Sequence, residues 1–437
     1  MPSPKDEKHL QVIEICAGAG GQSYGLERAG FEHRLAIELD ENAANTLRHN
    51  RPKWDVRVGD VAELKVWNPE EYAGEVDLLA GGVPCPPFSF AGKQLGANDE
   101  RDLFAWAVEL CGRVKPKALL LENVRGLSAN RFSAYRQRVL DRLREQGYIG
   151  EWKLLHANEF GVPQLRPRFV LVALLPEYAQ YFQWPDTDSN PAPTVGEALK
   201  DLMAAAGWEE AETWAAAASG IAPTIVGGSK KHGGADLGPT RAKRAWAELG
   251  VDAMGVADAP PAPGWKPVQN SKGESAPGPK LTTAMVARIQ GWHGEFSDWE
   301  FRGRKTTVYR QIGNAFPPPM AKAVGESIKR ALCQEGEKRV LIESTDALHD
   351  PVYKVLSTSS RSISVDQIIK RLAKDGIVMD CPEVERRLNH LTHDFKLKEK
   401  QNKSGTFIYA LGEFKAFIGQ QGHQRHDLFV QHRTKIS

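Results

Sequence analysis

The sequence predicts an α/β chain built on a largely parallel sheet, and three observations predict it. Over the first ~170 residues, short apolar runs alternate with segments of helical period, the pattern of β–α–β units. The first run ends in a glycine-rich turn, CAGAGG at 16–21, which opens a helix. The periodic pattern then lapses over 176–280 and returns, so the 437 residues divide into more than one unit.

The elements follow in order. LQVIEICAG reads as a strand, QSYGLERAGF as a helix and HRLAIELD as the next strand. AANTLRHN is helical, DVRVGDV is a third strand, and VDLLAGGV is a fourth that ends at the loop GGVPCPPFS, 81–89. DLFAWAVELCGRV puts Leu103, Trp106, Ala107 and Leu110 on one helical face. KALLLENV is a fifth strand, RFSAYRQRVLDRLREQG a helix stopped by Gly147, and WKLLHANEFG with RFVLVALL completes the sheet.

Residues 176–280 are rich in Ala, Gly, Pro and Trp and predict a mostly irregular region. Period returns at LTTAMVARIQGW and MAKAVGESIKRALC. In the last ~95 residues, Ser364 and Gln367 form a capping box with Gly376 as stop. Val384, Leu388, Leu391 and Phe395 make a helical stripe, and a hairpin turns at Asn402–Gly405. Helix, helix, hairpin is a winged-helix-like order. The expected units are therefore 10–175, 176–280, a return segment 281–335 that completes the first unit, and 345–437.

Composition sets bounds. With 26% charged and 41% hydrophobic residues the chain reads as a soluble globular protein. No run nears the ~18 apolar residues of a membrane span, and the polar start MPSPKDEKHL has no signal-peptide pattern, so a cytoplasmic protein without a membrane partner is expected. The cysteines Cys16, Cys85, Cys111, Cys333 and Cys381 form no C-x-x-C pair, which implies neither a disulfide framework nor a metal site. Residues 361–437 carry 14 Lys and Arg against 9 Asp and Glu, a mildly basic tail that suits nucleic acid or a solvated surface.

The chemistry gathers at strand ends. Glycines at 16–21 let a ligand approach the backbone, and the helix that follows favours an anionic group. Glu38 ends the second strand, where a carboxylate can bind ribose hydroxyls; Asp60 ends the third, where one can accept from an adenine amine. A dinucleotide would satisfy this equally. Cys85 ends the fourth strand between two prolines, which stiffen its loop and suit a thiolate nucleophile, and Glu122 ends the fifth on the same edge.

These residues, in this order, resemble the bacterial cytosine-5 DNA methyltransferase family over roughly residues 10–330. EICAGAGG is similar to its cofactor motif, GGVPCPPFS to its catalytic loop, ENV at 122–124 to its glutamate motif, QLRPR to its Gln-x-Arg-x-Arg motif and YRQIGNAFPPP to its closing motif. The resemblance implies a Rossmann-like S-adenosylmethionine-dependent methyltransferase fold, with 176–280 as target-recognition domain. It implies methyl transfer from S-adenosylmethionine, leaving S-adenosylhomocysteine, to carbon 5 of a flipped-out cytosine. Cys85 would be the nucleophile, Glu122 would hold or protonate ring nitrogen 3, and Arg168 would bind the base's carbonyl oxygen. Arg166 would act on phosphate or support the loop.

The implied cofactor residues are Cys16, Gly18, Ala19, Gly20 and Gly21, then Glu38, Leu39, Asp60 and Val61. Gly82, Pro84, Leu103, Asn314 and Ala315 complete that set. The candidate DNA contacts are Ser89, Gln164, Lys230, Lys231, Arg241 and Arg244. Family members usually carry Phe where Cys16 stands and often an aromatic where Leu39 stands, so reduced stacking predicts weaker cofactor affinity. LTTAMVARIQGW resembles the penultimate motif without a glutamate after its threonines. The expected partners are double-stranded DNA and a cognate restriction endonuclease or defence-system proteins acting on it, with the enzyme itself a monomer. Two rival readings are a transfer-RNA cytosine methyltransferase and a catalytically idle DNA-binding regulator.

Overall fold

The computed structural model describes residues 9–83, 101–187, 191–227, 235–269, 275–341, 350–402 and 404–415. Its first unit opens with β1 (Leu10–Ile15), α1 (Gly21–Arg28), β2 (Phe31–Glu38), α2 (Glu41–Asn50), β3 (Val56–Val58) and β4 (Leu78–Gly81). It continues with α3 (Arg101–Val114), β5 (Ala118–Val124), α4 (Ser133–Glu145), β6 (Ile149–His156) and β7 (Pro167–Leu174). The seven strands lie in the order β3-β2-β1-β4-β5-β7-β6. The first five are parallel, but β7 runs antiparallel to both β5 and β6. A parallel return needs a crossover of about a dozen residues or more, and the link between β6 and β7 is shorter than that.

Both faces of the sheet are covered, which is why its strands read as continuous apolar runs. Ile13, Ile15, Leu79, Leu119 and Leu121 pack under Phe104, Val108 and Leu110 of α3 and Val139 and Leu143 of α4. Val12, Leu78, Leu120 and Val172 face the other way, toward Leu26 of α1 and the long returning helix that carries Met320, Val324 and Ile328.

The region expected to be mostly irregular holds, among its described residues, four helices set between irregular segments. After the short α5 (Pro176–Ala179) come α6 (Val195–Ala204), α7 (Ala211–Ala217) and α8 (Thr240–Glu248). Thr194 and Glu197 close a capping box on α6. A Cβ on Gly196 would lie 1.9 Å from the Ala215 carbonyl oxygen, so only glycine lets α6 and α7 meet. Buried Trp208, Trp214 and Trp246 supply the packing, and the Trp214 indole donates to the Gly250 carbonyl at 2.8 Å.

The chain then returns through α9 (Thr283–Ile289), α10 (Lys305–Asn314) and α11 (Pro318–Leu332). At the start of α9 the Thr282 hydroxyl accepts from Met285 N, and Thr282 N points at the Met285 sulfur at 3.4 Å. Methionine thus occupies the capping-box position where a glutamate would serve.

The C-terminal unit runs α12 (Pro351–Ser357), β8 (Ile363–Ser364), α13 (Val365–Lys374), α14 (Cys381–Asp394), β9 (Lys398–Gln401) and β10 (Phe407–Ala410). Its antiparallel sheet has the order β8-β10-β9. The capping box of Ser364 and Gln367 is present, and Val384, Leu388, Leu391 and Phe395 are buried. This unit shares a core with the first one. Tyr353 donates to Asp141 of α4 at 2.7 Å, and the Phe414 ring lies 5.3 Å from Tyr135.

Candidate active site

The glycine turn follows β1 because its backbone leaves the strand through left-handed conformations. Cys16, Gly18 and Gly20 have φ of 52°, 58° and 97°. Glycine adopts these without penalty, whereas Cys16 pays a small strain. The Glu38 carboxylate at the end of β2 ties the turn down. It accepts from Gly18 N at 2.7 Å and Asp40 N at 2.8 Å. Burial pushes the Glu38 carboxyl upward while those amides pull it back. The Cys16 thiol is pushed well up by burial and by the carboxylates around it, so it is a neutral neighbour of the site.

Asp60 lies two residues beyond β3 and accepts from Ala62 N at 2.9 Å in the next turn; Val61 after it is buried. Leu39 is 40% exposed beside Glu38. Leu103 is half-buried against the α3 side of the core.

The closing motif reaches this turn from the far end of the unit. A Cβ on Gly21 would stand 2.4 Å from the Phe316 carbonyl oxygen and 2.8 Å from the Ala315 Cβ, which places Asn314–Phe316 against the start of α1. Sequence reasoning missed a second support. The Trp299 indole donates to the Ala19 carbonyl at 2.9 Å and stacks on Tyr24 at 4.9 Å. A Cβ on Gly20 would collide with it at 2.2 Å. Arg51, held by Glu27, lies over both rings. Nothing local marks Trp299, since its partners are some 280 residues away. Replacing it by Leu removes an aromatic stack and a hydrogen bond, together worth about 2 kcal/mol. The expected result is a rise of up to about thirtyfold in the KM for the cofactor with kcat at saturation nearly unchanged, and partial recovery in Trp299→Phe. Steady-state kinetics against cofactor concentration checks it.

The residues fit an adenosyl cofactor. Gly18 faces open space, with nothing within 4 Å of where its Cβ would be, and the buried Gln22 amide and Ser23 hydroxyl beside it carry no hydrogen-bond partner among the described residues.

Gly82 bridges this turn to the second half of the site. A Cβ there would lie 3.6 Å from a Glu122 oxygen and 3.7 Å from the Cys16 carbonyl oxygen. Glu122 on β5 meets Arg168 on the antiparallel β7, with Nε 2.5 Å from Oε1 and both side chains about nine-tenths buried. Burial pushes the Glu122 carboxyl up, opposed by Arg168 and Arg166. Burial likewise lowers the Arg168 guanidinium. Asn123 donates to the Val83 carbonyl at 3.2 Å, tethering the strand end that leads into the cysteine loop. Pro84, Cys85 and Ser89 lie outside the described residues, as do Lys230 and Lys231.

Two of the expected site residues lie inside the protein, and for Arg166 this is the supporting alternative. Gln164 is fully buried rather than presented to DNA: its amide nitrogen donates to Gln290 Oε1 at 2.6 Å and its oxygen accepts from Ile225 N at 2.8 Å. Arg166 is also buried and donates to the carbonyls of Ile225, Gly313 and Ala315 at 2.7, 2.7 and 2.9 Å. Three accepting carbonyls make it a clasp between the 176–280 region and the closing motif. Arg241 and Arg244 are exposed on α8, one turn apart, beside a Lys243–Asp236 pair.

Comparison with known proteins agrees with this geometry. Residues 10–330 match the family model for C-5 cytosine-specific DNA methylase. The chain is 62% identical over 428 residues to the Type II methyltransferase M.NaeI of Lentzea aerocolonigenes, spanning 98% of this chain and 99% of that protein. It is 49% identical over 326 residues to the Type II methyltransferase M.NgoMIV of Neisseria gonorrhoeae, spanning 74% of this chain and 98% of that one. A solved DNMT2 mutant from Spodoptera frugiperda shares the fold, with a TM-score of 0.50 and 17% identity over 74% of this chain and 99% of its own. A glycine turn, an acidic strand end and a buried Glu–Arg pair thus sit within a family match over residues 10–330, and the chain belongs to the C-5 cytosine-specific DNA methylase family, making it a DNA cytosine-5 methyltransferase.

Proposed function

We propose that the chain is the modification enzyme of a type II restriction–modification system, methylating one short DNA sequence through a covalent Cys85 adduct. The juxtaposition of the buried Glu122–Arg168 pair with the end of the cysteine loop carries this reading. S-adenosylmethionine supplies an electrophilic methyl group; the glycine turn, Glu38 and Asp60 would hold it. The Cys85 thiolate adds to carbon 6 of the extruded cytosine, and its electron pair makes carbon 5 nucleophilic. Glu122 donates a proton or hydrogen bond to nitrogen 3, and Arg168 donates to the base's carbonyl oxygen. Carbon 5 would then take the methyl group, with S-adenosylhomocysteine as leaving group, and lose its proton to a base; the Sγ–carbon 6 bond breaks, restoring the ring and the thiolate, and any proton given to nitrogen 3 returns to Glu122.

Residues 176–280 form the target-recognition domain in this reading, and the C-terminal unit is a winged-helix domain. Arg241 and Arg244 contact the DNA backbone. Changing both to Ala is expected to lower the slope of log affinity against log salt by roughly 1.8, the loss of two phosphate contacts, as measured by binding titrations at several salt concentrations. Conversion sequencing of DNA from a methylation-free bacterial host expressing the protein tests the whole reading. Carbon-5 methylation confined to one repeated sequence is expected; none from soluble protein, or methylation without sequence preference, contradicts it.

A further inference from the structure

We propose that the outer face of the C-terminal hairpin is a second duplex-binding surface, gripping phosphates beside the methylation target through Lys398 and Lys400. The inference rests on DNA as the substrate, and on the C-terminal unit lying outside the family match that ends at residue 330.

The register of the small sheet sets the face. Lys398 lies opposite Ala410, Lys400 opposite Ile408, and Ile408 opposite Ser364 on the other side. Side chains two apart on a strand share a face. Tyr409 and Leu411 pack on the unit's own core, which commits the alternate positions to the outside. The outer face therefore presents Lys398 and Lys400, both exposed; the nearby Glu413, which also feels Lys398, is paired with Lys396 at 3.0 Å. The neighbouring Glu399 is paired opposite Tyr409 on the other face. Where β9 gives way to β10, the Asn402 side chain accepts from Ser404 N at 3.0 Å and Thr406 N at 2.9 Å.

Placement gives this basic face a function. Phe414, just beyond β10, packs on Tyr135 in the first turn of α4. That helix follows β5, whose end carries Glu122. The hairpin is thus anchored to the edge of the sheet where the base is handled, not carried on a free tether. A second anchor, Tyr353 on Asp141, fixes its orientation along α4. A cationic surface on a unit docked to α4 of a DNA enzyme is matched by the duplex flanking the target, whose phosphates offer dense negative charge without regard to sequence.

The test is equilibrium binding of the full chain to two duplexes, one about a single helical turn long and one about three turns long, across a salt series. Lys398→Gln/Lys400→Gln is compared with the parent. On the long duplex the double variant is expected to lose roughly 1.8 from the slope of log affinity against log salt, and on the short duplex nothing. Lys398→Glu/Lys400→Glu should weaken long-duplex binding further, while methyl transfer to any duplex too short to reach the hairpin stays at the parent rate. An unchanged slope on the long duplex overturns the proposal and leaves the face to an acidic protein partner or to solvent. An equal loss on both duplexes also overturns it, because the lysines would then act at the target itself. Phosphate contacts need no particular sequence, so the binding result stands even if the methylated sequence were misassigned.

Discussion

Cys85→Ala is expected to lower methyl transfer by more than about 10⁴-fold, the scale seen when a covalent nucleophile is removed. Carbon 5 of cytosine is too electron-poor to attack a methyl sulfonium unaided, so without addition at carbon 6 no alternative route of comparable rate exists. Binding should survive. Cys85 stands in the sequence between Pro84 and Pro86, shortly after β4, and its role is in bond making, not in holding cofactor or DNA. The dissociation constants for cofactor and DNA are therefore expected to remain within a few-fold of the parent. Radiolabelled methyl transfer, with calorimetry for the cofactor and anisotropy for DNA, separates the two effects. A variant that keeps a tenth of its activity would remove Cys85 from the chemistry.

Glu122→Gln is the second large effect, a fall in kcat of about 10² to 10⁴, the usual worth of a positioned proton donor. The pH profile is the more telling readout. Burial holds the Glu122 carboxyl above its ordinary range, with Arg168 and Arg166 pulling the other way. The protonated form is the one that can donate to nitrogen 3. Wild-type activity should therefore decline as pH rises through that raised value, and the limb should vanish in Glu122→Gln. Stability follows the same sign. Because the folded pKa lies above the unfolded one, Glu122's contribution is fully present below the unfolded value and is lost as pH rises through the folded one. An activity profile identical in shape for both proteins would show that Glu122 does not titrate in the reaction.

Much of this site is legible in the sequence because it is written locally. A glycine-rich turn, an acidic residue at a strand end and a capping box each depend on neighbours a few residues away. Gly18, Glu38 and Ser364 accordingly stand where the patterns put them. What was not legible depends on residues far apart. Gln164 looks like a surface polar group until Ile225 N and Gln290 are seen to satisfy it inside the protein. For Arg166 the sequence leaves phosphate contact and loop support equally open, and three carbonyls from two distant segments are what claim it. Trp299 has no local signal at all. The helices of 176–280 were hidden for another reason: their alanines give little apolar contrast, and the indoles that bury them are spaced by tertiary contacts, not by helical period. The C-terminal unit reads as separate because its own helices are strongly amphipathic, and the aromatic seam joining it to α4 involves single residues, Tyr353 and Phe414.

The measurement that bears most directly on the covalent mechanism is trapping on duplex DNA in which the methylated cytosine is replaced by 5-fluorocytosine. After methyl transfer the fluorine cannot leave as a proton does, so the Sγ–carbon 6 bond cannot be released. Wild-type protein with S-adenosylmethionine is predicted to form a denaturation-resistant complex with that DNA, through a peptide containing Cys85, and Cys85→Ala to form none. A wild-type enzyme that methylates ordinary cytosine yet leaves no adduct on the fluorinated base, or an adduct that maps to another residue, would contradict the account.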